Sequence, residues 1–276
     1  MEVAISRMAR LLPFALLGLI YAGASCAEEA AQPVLTEQDF FGEVPMVLTV
    51  SRLAQPVSEA PAAVTVIDRD MIRASGFRDL ADLFRYVPGF YVGLFTGNEH
   101  LVNGGLNNRF FGRVQVLLDG KSVYTPMFGL VPWTALPLAL EDIERIEVTR
   151  GPNAATYGAN SFLGVINIIT RHPVQDQGTL VAARYGDPGL ADGVLRHGGK
   201  LGDLDYRVTL SHKQDNGFEL RNDSQRTDSI SGRGDFRIDN DHSLQFQFGY
   251  TGALFGGGYF GSNDFGPRDQ RAQSSY

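Results

Sequence analysis

Beyond Pro173 the chain alternates apolar and polar positions with a period of two residues. Asp205–His212, Ile230–Ile238 and Leu244–Tyr250 follow this pattern, and segments near 179–185 and 192–199 complete a set of five expected strands. One face carries Tyr206, Val208, Leu210, Ile230, Phe236, Ile238, Leu244, Phe246, Phe248 and Tyr250, and the other carries Arg207, Thr209, Arg233, Asp235, Arg237, Gln245 and Gln247. Periodicity alone fits a sandwich or a membrane barrel. Loop lengths separate the two. If the first strand runs outward, the short turns at 201–203 and 240–242 fall on one side and the longer stretches at 215–228 and around Gly256–Gly258 fall on the other. That parity is the one outer-membrane barrels use. The closing run Arg268–Tyr276 is polar and non-alternating, and no strand is expected there.

Residues 62–171 have a different texture, alternating strands with helices. Strands are expected at Ala62–Ile67, Val114–Leu118, Lys121–Tyr124, Ile143–Val148 and Gly164–Ile169, with Asp119-Gly120 as a tight hairpin turn. Asp68 is placed to cap a helix over Arg69–Ala74 that stops at Gly76. A second helix, Asp79 to Tyr86, puts Leu80, Leu83 and Phe84 on one face and ends at Pro88-Gly89. The sum is a small mixed sheet with helices, an α+β domain.

The first residues read as a leader. Arg7 and Arg10 precede an apolar run, Leu11–Ala22, which is too short to span a hydrocarbon core of roughly 30 Å. Ser25-Cys26-Ala27 fits a small-x-small cleavage site, so the mature chain is expected to begin at Glu28, with lipidation at Cys26 as the alternative. Residues 28–43 are polar and irregular, and read as a mobile tail. The following stretch, Val44–Ser51, is β-prone and flanked by breakers; it reads as an edge strand or as a linear motif that adds a strand to a partner's sheet.

Composition narrows the classes. Of 276 residues 43% are hydrophobic and only one is Cys, which excludes a disordered chain and a disulfide scaffold. The net charge of −7, without a dense Lys/Arg block, argues against nucleic acid as a partner. No Ser/His/Asp or Cys/His set stands in a nucleophile context, so no enzyme is expected and no cofactor is implied. His100, His172, His197, His212 and His242 are scattered singly, without the spacing of a metal cage. Asp215, Glu219, Asp223 and Asp228 lack the order of a calcium loop and read as a solvated surface loop.

Several motifs stand in register over about a hundred residues. They are Val114–Gly120 with Val123-Tyr124, then Ile143–Pro152, Ala155, Tyr157–Asn160 and Gly164–Thr170. Together they resemble the plug domain of TonB-dependent outer-membrane receptors. The resemblance implies an α+β plug domain over 62–173, then from 174 the N-terminal part of an antiparallel transmembrane β-barrel of about 22 strands. The chain would be incomplete, an N-terminal fragment of a longer receptor. It places the leader at 1–27 and a periplasmic tail at 28–61 whose TonB box is Pro45, Met46, Val47, Leu48, Thr49 and Val50. About 16 residues between cleavage site and box leave no room for a signalling domain.

By the same resemblance Glu147 and Arg150 lock plug to barrel, the alternative being a solvated pair. The outward plug loops would offer Tyr91, Phe95, Asn98, His100, Asn107, Arg109, Tyr124, Phe128 and Trp133 to a large, partly apolar metal chelate; packing against the barrel interior is the alternative for Phe128 and Trp133. The implied function is energised import, with TonB and its inner-membrane complex, the lipid bilayer and a ferric siderophore as partners. Cobalamin, haem or a saccharide would give the same plug signature. A non-transporting surface receptor or adhesin is the rival class.

Overall fold

In the computed structural model the described residues are 46–48, 55–56, 58, 60, 62–94, 100–104, 113–125, 129–158, 160–218, 223–239, 242–256 and 269–275. The leader and polar tail of the preceding section lie outside them.

Five strands form the plug sheet: β3 Ala63–Asp68, β6 Val114–Leu118, β7 Lys121–Ser122, β8 Ile143–Arg150 and β9 Gly164–Thr170. Their order is β3-β8-β9-β6-β7, with β6 and β9 parallel and the other pairs antiparallel. Period-two alternation gives the sheet two unlike faces. Ile67, Val114, Val116, Ile146, Val148, Ile166 and Ile168 enter the hydrophobic core, while Gln115, Glu147, Thr149 and Asn167 point the other way. Two helical segments cover the apolar face. In α1 (Arg69–Ser75) the Asp68 carboxylate accepts the Met71 N–H at 2.8 Å and Gly76 ends the helix at φ 64°, as the local residues demand. The next segment, Leu80–Tyr86, is a 3-10 helix instead of the expected α-helix. Its last turn closes on an i−3 bond from the Val87 N–H to the Phe84 carbonyl, and Pro88 has no N–H with which to continue. Leu80, Leu83 and Phe84 are buried from it as the periodicity predicts.

The Asp119-Gly120 turn forms, with Leu118 opposite Lys121 and both turn residues at positive φ. A hairpin not foreseen in the sequence, β4 Phe90–Leu94 with β5 His100–Gly104, occupies part of the region expected to be loop. Gly164 has a local reason: a Cβ there would meet the Thr149 carbonyl at 2.4 Å, where β9 crosses β8.

The remaining strands form a six-stranded antiparallel sheet in chain order: β10 Gly178–Gly186, β11 Leu190–Leu201, β12 Leu204–Asp215, β13 Gln225–Arg237, β14 Ser243–Gly256 and β15 Asp269–Ser275. The last corrects the reading of the polar end. Among the described residues β15 pairs with Tyr250–Gly256, and main-chain hydrogen bonds form that ladder without apolar alternation. On the outward face Leu210, Phe236, Leu244, Phe246, Phe248 and Tyr250 are exposed, and Phe246 and Phe248 lie over Gly234 and Gly232 of the next strand. Inward, Arg196, Arg207, Thr209, Thr227, Ser231 and Thr251 are buried. Plug sheet and barrel sheet belong to one compact unit, Pro45–Tyr276.

Candidate functional site: the plug, its coupling segment and the barrel wall

The expected box is described at Met46, Val47 and Leu48; Pro45, Thr49 and Val50 lie outside the described residues. β1 (Met46–Val47) pairs with β2 (Gln55–Pro56) in a ladder of two residue pairs. Val47 is fully buried, and the Leu48 N–H donates to Glu147 Oε2 at 2.9 Å. Glu147 itself has no exposed surface, and its Oε1 accepts from Arg145 Nε at 2.8 Å. Arg150 donates through Nη1 to the Pro88 carbonyl at 3.4 Å. Three residues apart on β8, Glu147 and Arg150 occupy opposite faces of the sheet, and these contacts lie within the plug and the segment before it.

Other charges reach the barrel wall from the plug and from the turn that joins the two. Asp142, at the end of the plug turn before β8, and Asp176, in the joining 3-10 turn Pro173–Asp176, face Arg196 of β11 and Arg207 of β12. Arg196 lies 3.2 Å from Asp176 and 3.5 Å from Asp142, and Arg207 donates to Asp176 at 3.0 Å. Arg171 also pairs with Asp176. Burial raises the Asp142 pKa, outweighing Arg207 and Arg196, with Asp176 adding to the rise.

A second group joins the plug to the opposite ends of β11 and β12. Arg78 forks onto Asp192 at 2.8 and 2.9 Å and reaches Asp215 at 2.5 Å. Burial works against its charge, yet the bonds to Asp192 and Asp215 hold its pKa above the usual arginine value. Lys213 lies 3.4 Å from Asp79. Burial raises the Asp79 pKa, but Lys213, His100 and Arg78 together pull it below the ordinary carboxylate range.

A third group is built on the hairpin turn. Asp119 accepts from Thr170 N and Oγ1, each at 2.8 Å, and from Gln247 Nε2 of β14 at 2.7 Å. Arg233 donates to Thr170 Oγ1 at 3.2 Å. Among the described residues these contacts with the wall are ion pairs and side-chain hydrogen bonds, several of them buried.

The residues expected at the ligand face fall into separate settings. Tyr91 is 65% exposed on β4, and His100 opens β5 with Nδ1 3.5 Å from Thr134 Oγ1. Tyr124 donates its hydroxyl to the Val114 carbonyl, and burial pushes its pKa up to about 12. Trp133 packs edge-on to the buried Phe84, ring centroids 5.0 Å apart, so it serves the plug core. Phe95, Asn98, Asn107, Arg109 and Phe128 lie outside the described residues.

Asp79, Asp82 and His100 bring one donor atom each within 4.8 Å of one another, a grouping the scattered histidines did not announce. Both carboxylates already answer cations, Asp79 facing Lys213 at 3.4 Å and Asp82 facing Arg85 at 2.8 Å, which makes the group an ion-pair cluster. The acidic residues of the 215–228 loop do not converge. Asp215 meets Arg78, Asp223 accepts the Phe218 N–H and Asp228 pairs with His212 on the outward face; Glu219 lies outside the described residues.

The inward arginines were legible as the polar positions of alternating strands, Arg207 and Arg233 among them. Asp142 and Asp176 were missed, because nothing local marks which carboxylates of the plug and its joining turn face the wall.

Comparison with known proteins places this geometry. The family profile of the TonB-dependent Receptor Plug Domain matches residues 56–165. The vitamin B12 transporter of Vibrio vulnificus is 31% identical over 141 residues, covering 51% of this chain and 23% of that protein. The iron-regulated outer membrane virulence protein of Vibrio cholerae is 32% identical over 166 residues, covering 58% of this chain and 23% of that protein. Among solved structures, the ferripyoverdine receptor of the Pseudomonas aeruginosa outer membrane superposes with a TM-score of 0.63 at 19% identity, covering 78% of this chain and 28% of that one. The chain thus spans about a quarter of the length of these relatives. Residues 56–165 thus belong to the TonB-dependent receptor plug domain family, and the plug sheet followed by antiparallel strands of an unclosed barrel is the fold of these outer-membrane receptors.

Proposed function

We propose that the protein is an energised importer: a metal chelate binds at the outer face, Pro45–Val50 serves as the TonB box, and TonB with its inner-membrane complex pulls on it. The observation that carries this reading is the plug-to-wall contact set of ion pairs and amide bonds, centred on Asp142, Asp176, Arg196 and Arg207. A plug held that way can shift by exchanging polar contacts, without exposing a large apolar surface. In this reading the Asp–Arg set is the lock, in place of Glu147 and Arg150. The exposed Tyr91 is the described plug residue offered to cargo, whereas His100, across the hairpin from Leu94, has its side chain turned in beside Asp82.

A ferric siderophore is the cargo of the leading reading, supported by the iron-regulated relative and by the ferripyoverdine receptor fold. Cobalamin is the second reading, favoured by the name of the Vibrio vulnificus relative. Growth of a deletion strain and its complemented parent separates them, on iron-restricted medium with defined siderophores and on medium requiring cobalamin uptake. Siderophore-dependent growth restored by the gene supports the first reading, and cobalamin-dependent growth alone supports the second. No difference in either medium overturns both.

A further inference from the structure

We propose that Glu147 is the catch that holds the coupling segment against the plug until it is drawn away. The inference rests on reading Pro45–Val50 as the TonB box, and it gives that segment a specific restraint.

Among the described residues the segment is held by the burial of Val47, a short ladder and one bond to Glu147. The β1–β2 ladder comprises Met46 opposite Pro56 and Val47 opposite Gln55, and Pro56 brings no N–H to it. A ladder of that length has no independent stability. Against it stands, among the described residues, a charge-assisted bond from the Leu48 N–H to a carboxylate fully withdrawn from water. Such bonds are roughly twice as strong as neutral ones.

The surface under the segment is suited to letting go. It is the polar face of the plug sheet, where Glu147 stands opposite Asn167 and Thr149 opposite Val165, the strand neighbour of Gln115. Thr149 Oγ1, Asn167 Oδ1 and Gln115 Oε1 accept no hydrogen bond among the described residues. Val47 adds apolar burial, but the directional restraint on the segment's backbone, the one that a pull must break as a unit, is the Glu147 carboxylate. Departure of Leu48 does not strand a buried charge, because Oε1 keeps Arg145 at 2.8 Å. A cavity of about 480 Å³ lies beside the catch, bounded by Leu48, Asp119, Asn167, Arg233 and Gln245, with room for water to take the place of the leaving N–H. Two of its walls, Arg233 and Gln245, belong to barrel strands, so a displacement of plug against barrel is felt next to Leu48.

The test uses the receptor expressed from its complete gene in outer-membrane vesicles, carrying Leu48→Cys as a reporter, with a maleimide reagent as probe. Adding Glu147→Ala should raise the labelling rate at position 48 about tenfold or more, as expected for losing a hydrogen bond to a charged group. Glu147→Gln, which keeps an acceptor of the same shape without the charge, should fall between. If Glu147→Ala does not assemble, the glutamine variant carries the test. Unchanged labelling in the variants that assemble overturns the catch.

Capture of the same vesicles by the purified periplasmic domain of TonB forms the second arm. Faster labelling with stronger capture supports the catch and the box together. Faster labelling with no capture of any variant, parent included, keeps the catch and removes the box. Normal capture with unchanged labelling removes the catch and leaves the box.

Discussion

Arg207 of the barrel wall and Asp176 of the turn that joins plug to barrel meet at 3.0 Å with both side chains almost wholly withdrawn from water. Two ions in that setting have surrendered their hydration, and each depends on the other and on their neighbours for compensation. Arg207 also donates to the Arg171 carbonyl at 2.8 Å, and Asp176 is shared with Arg196 and Arg171.

Removing one partner should therefore cost more than removing both. Arg207→Ala is expected to destabilise plug seating toward the lower end of about 3–5 kcal/mol, since Arg171 and Arg196 still compensate Asp176. An Arg207→Met/Asp176→Leu double variant should recover part of that loss. Denaturant melts of the detergent-solubilised receptor, with protease sensitivity of the plug, measure both.

The pH response divides by carboxylate. Asp79 has a folded pKa below the ordinary 3.8, so the stability it contributes is present above that value and is lost as pH falls through the lower folded one. Asp142 is shifted upward, so its contribution is present below 3.8 and is lost as pH rises through the folded value. Trp133, the one tryptophan of these 276 residues, packs on Phe84, so protease sensitivity of the plug and the fluorescence of this residue, with any further tryptophan of the receptor replaced, report plug integrity. An acid titration of Asp79→Asn should show a shallower loss below about pH 3.8 than the parent. An unchanged acid limb would show that Lys213 does not draw on the ionised carboxylate.

Gly164→Ala puts a methyl group 2.4 Å from the Thr149 carbonyl, a distance no side-chain carbon tolerates. The strands must part to admit it, at a cost of about 1–3 kcal/mol typical of overpacking. Thermal melts should fall accordingly, whereas alanine at Gly193, where no neighbour stands within 4 Å of the added carbon, should cost less.

Leu48→Pro removes the N–H that Glu147 accepts and the donor that strand pairing with a partner requires. Cargo binding to whole cells should persist while TonB capture and uptake fail. Equal uptake by this variant would refute the coupling role of the segment.

Local chemistry was readable along the chain. The Asp68 cap, the Gly76 stop, the Asp119-Gly120 turn and the apolar outward face of β12 to β14 each depend on residues close in sequence. Steric preference and a two-residue period act at that range, so neighbours suffice to encode them. The 3-10 geometry of Leu80–Tyr86 and the polar strand β15 escaped, because Pro88 and pairing with Tyr250–Gly256 override the local pattern.

What only the folded chain decided is which charges meet. Leu48 finds Glu147 across 99 positions, Arg78 finds Asp215 across 137, and Asp119 finds Gln247 across 128. Alternation could turn Arg207 inward but could not name Asp176 as its partner. That pairing follows from how the plug is turned inside the wall, and it is enforced by desolvation, since an inward ion without a partner at hydrogen-bond distance would be too costly to bury.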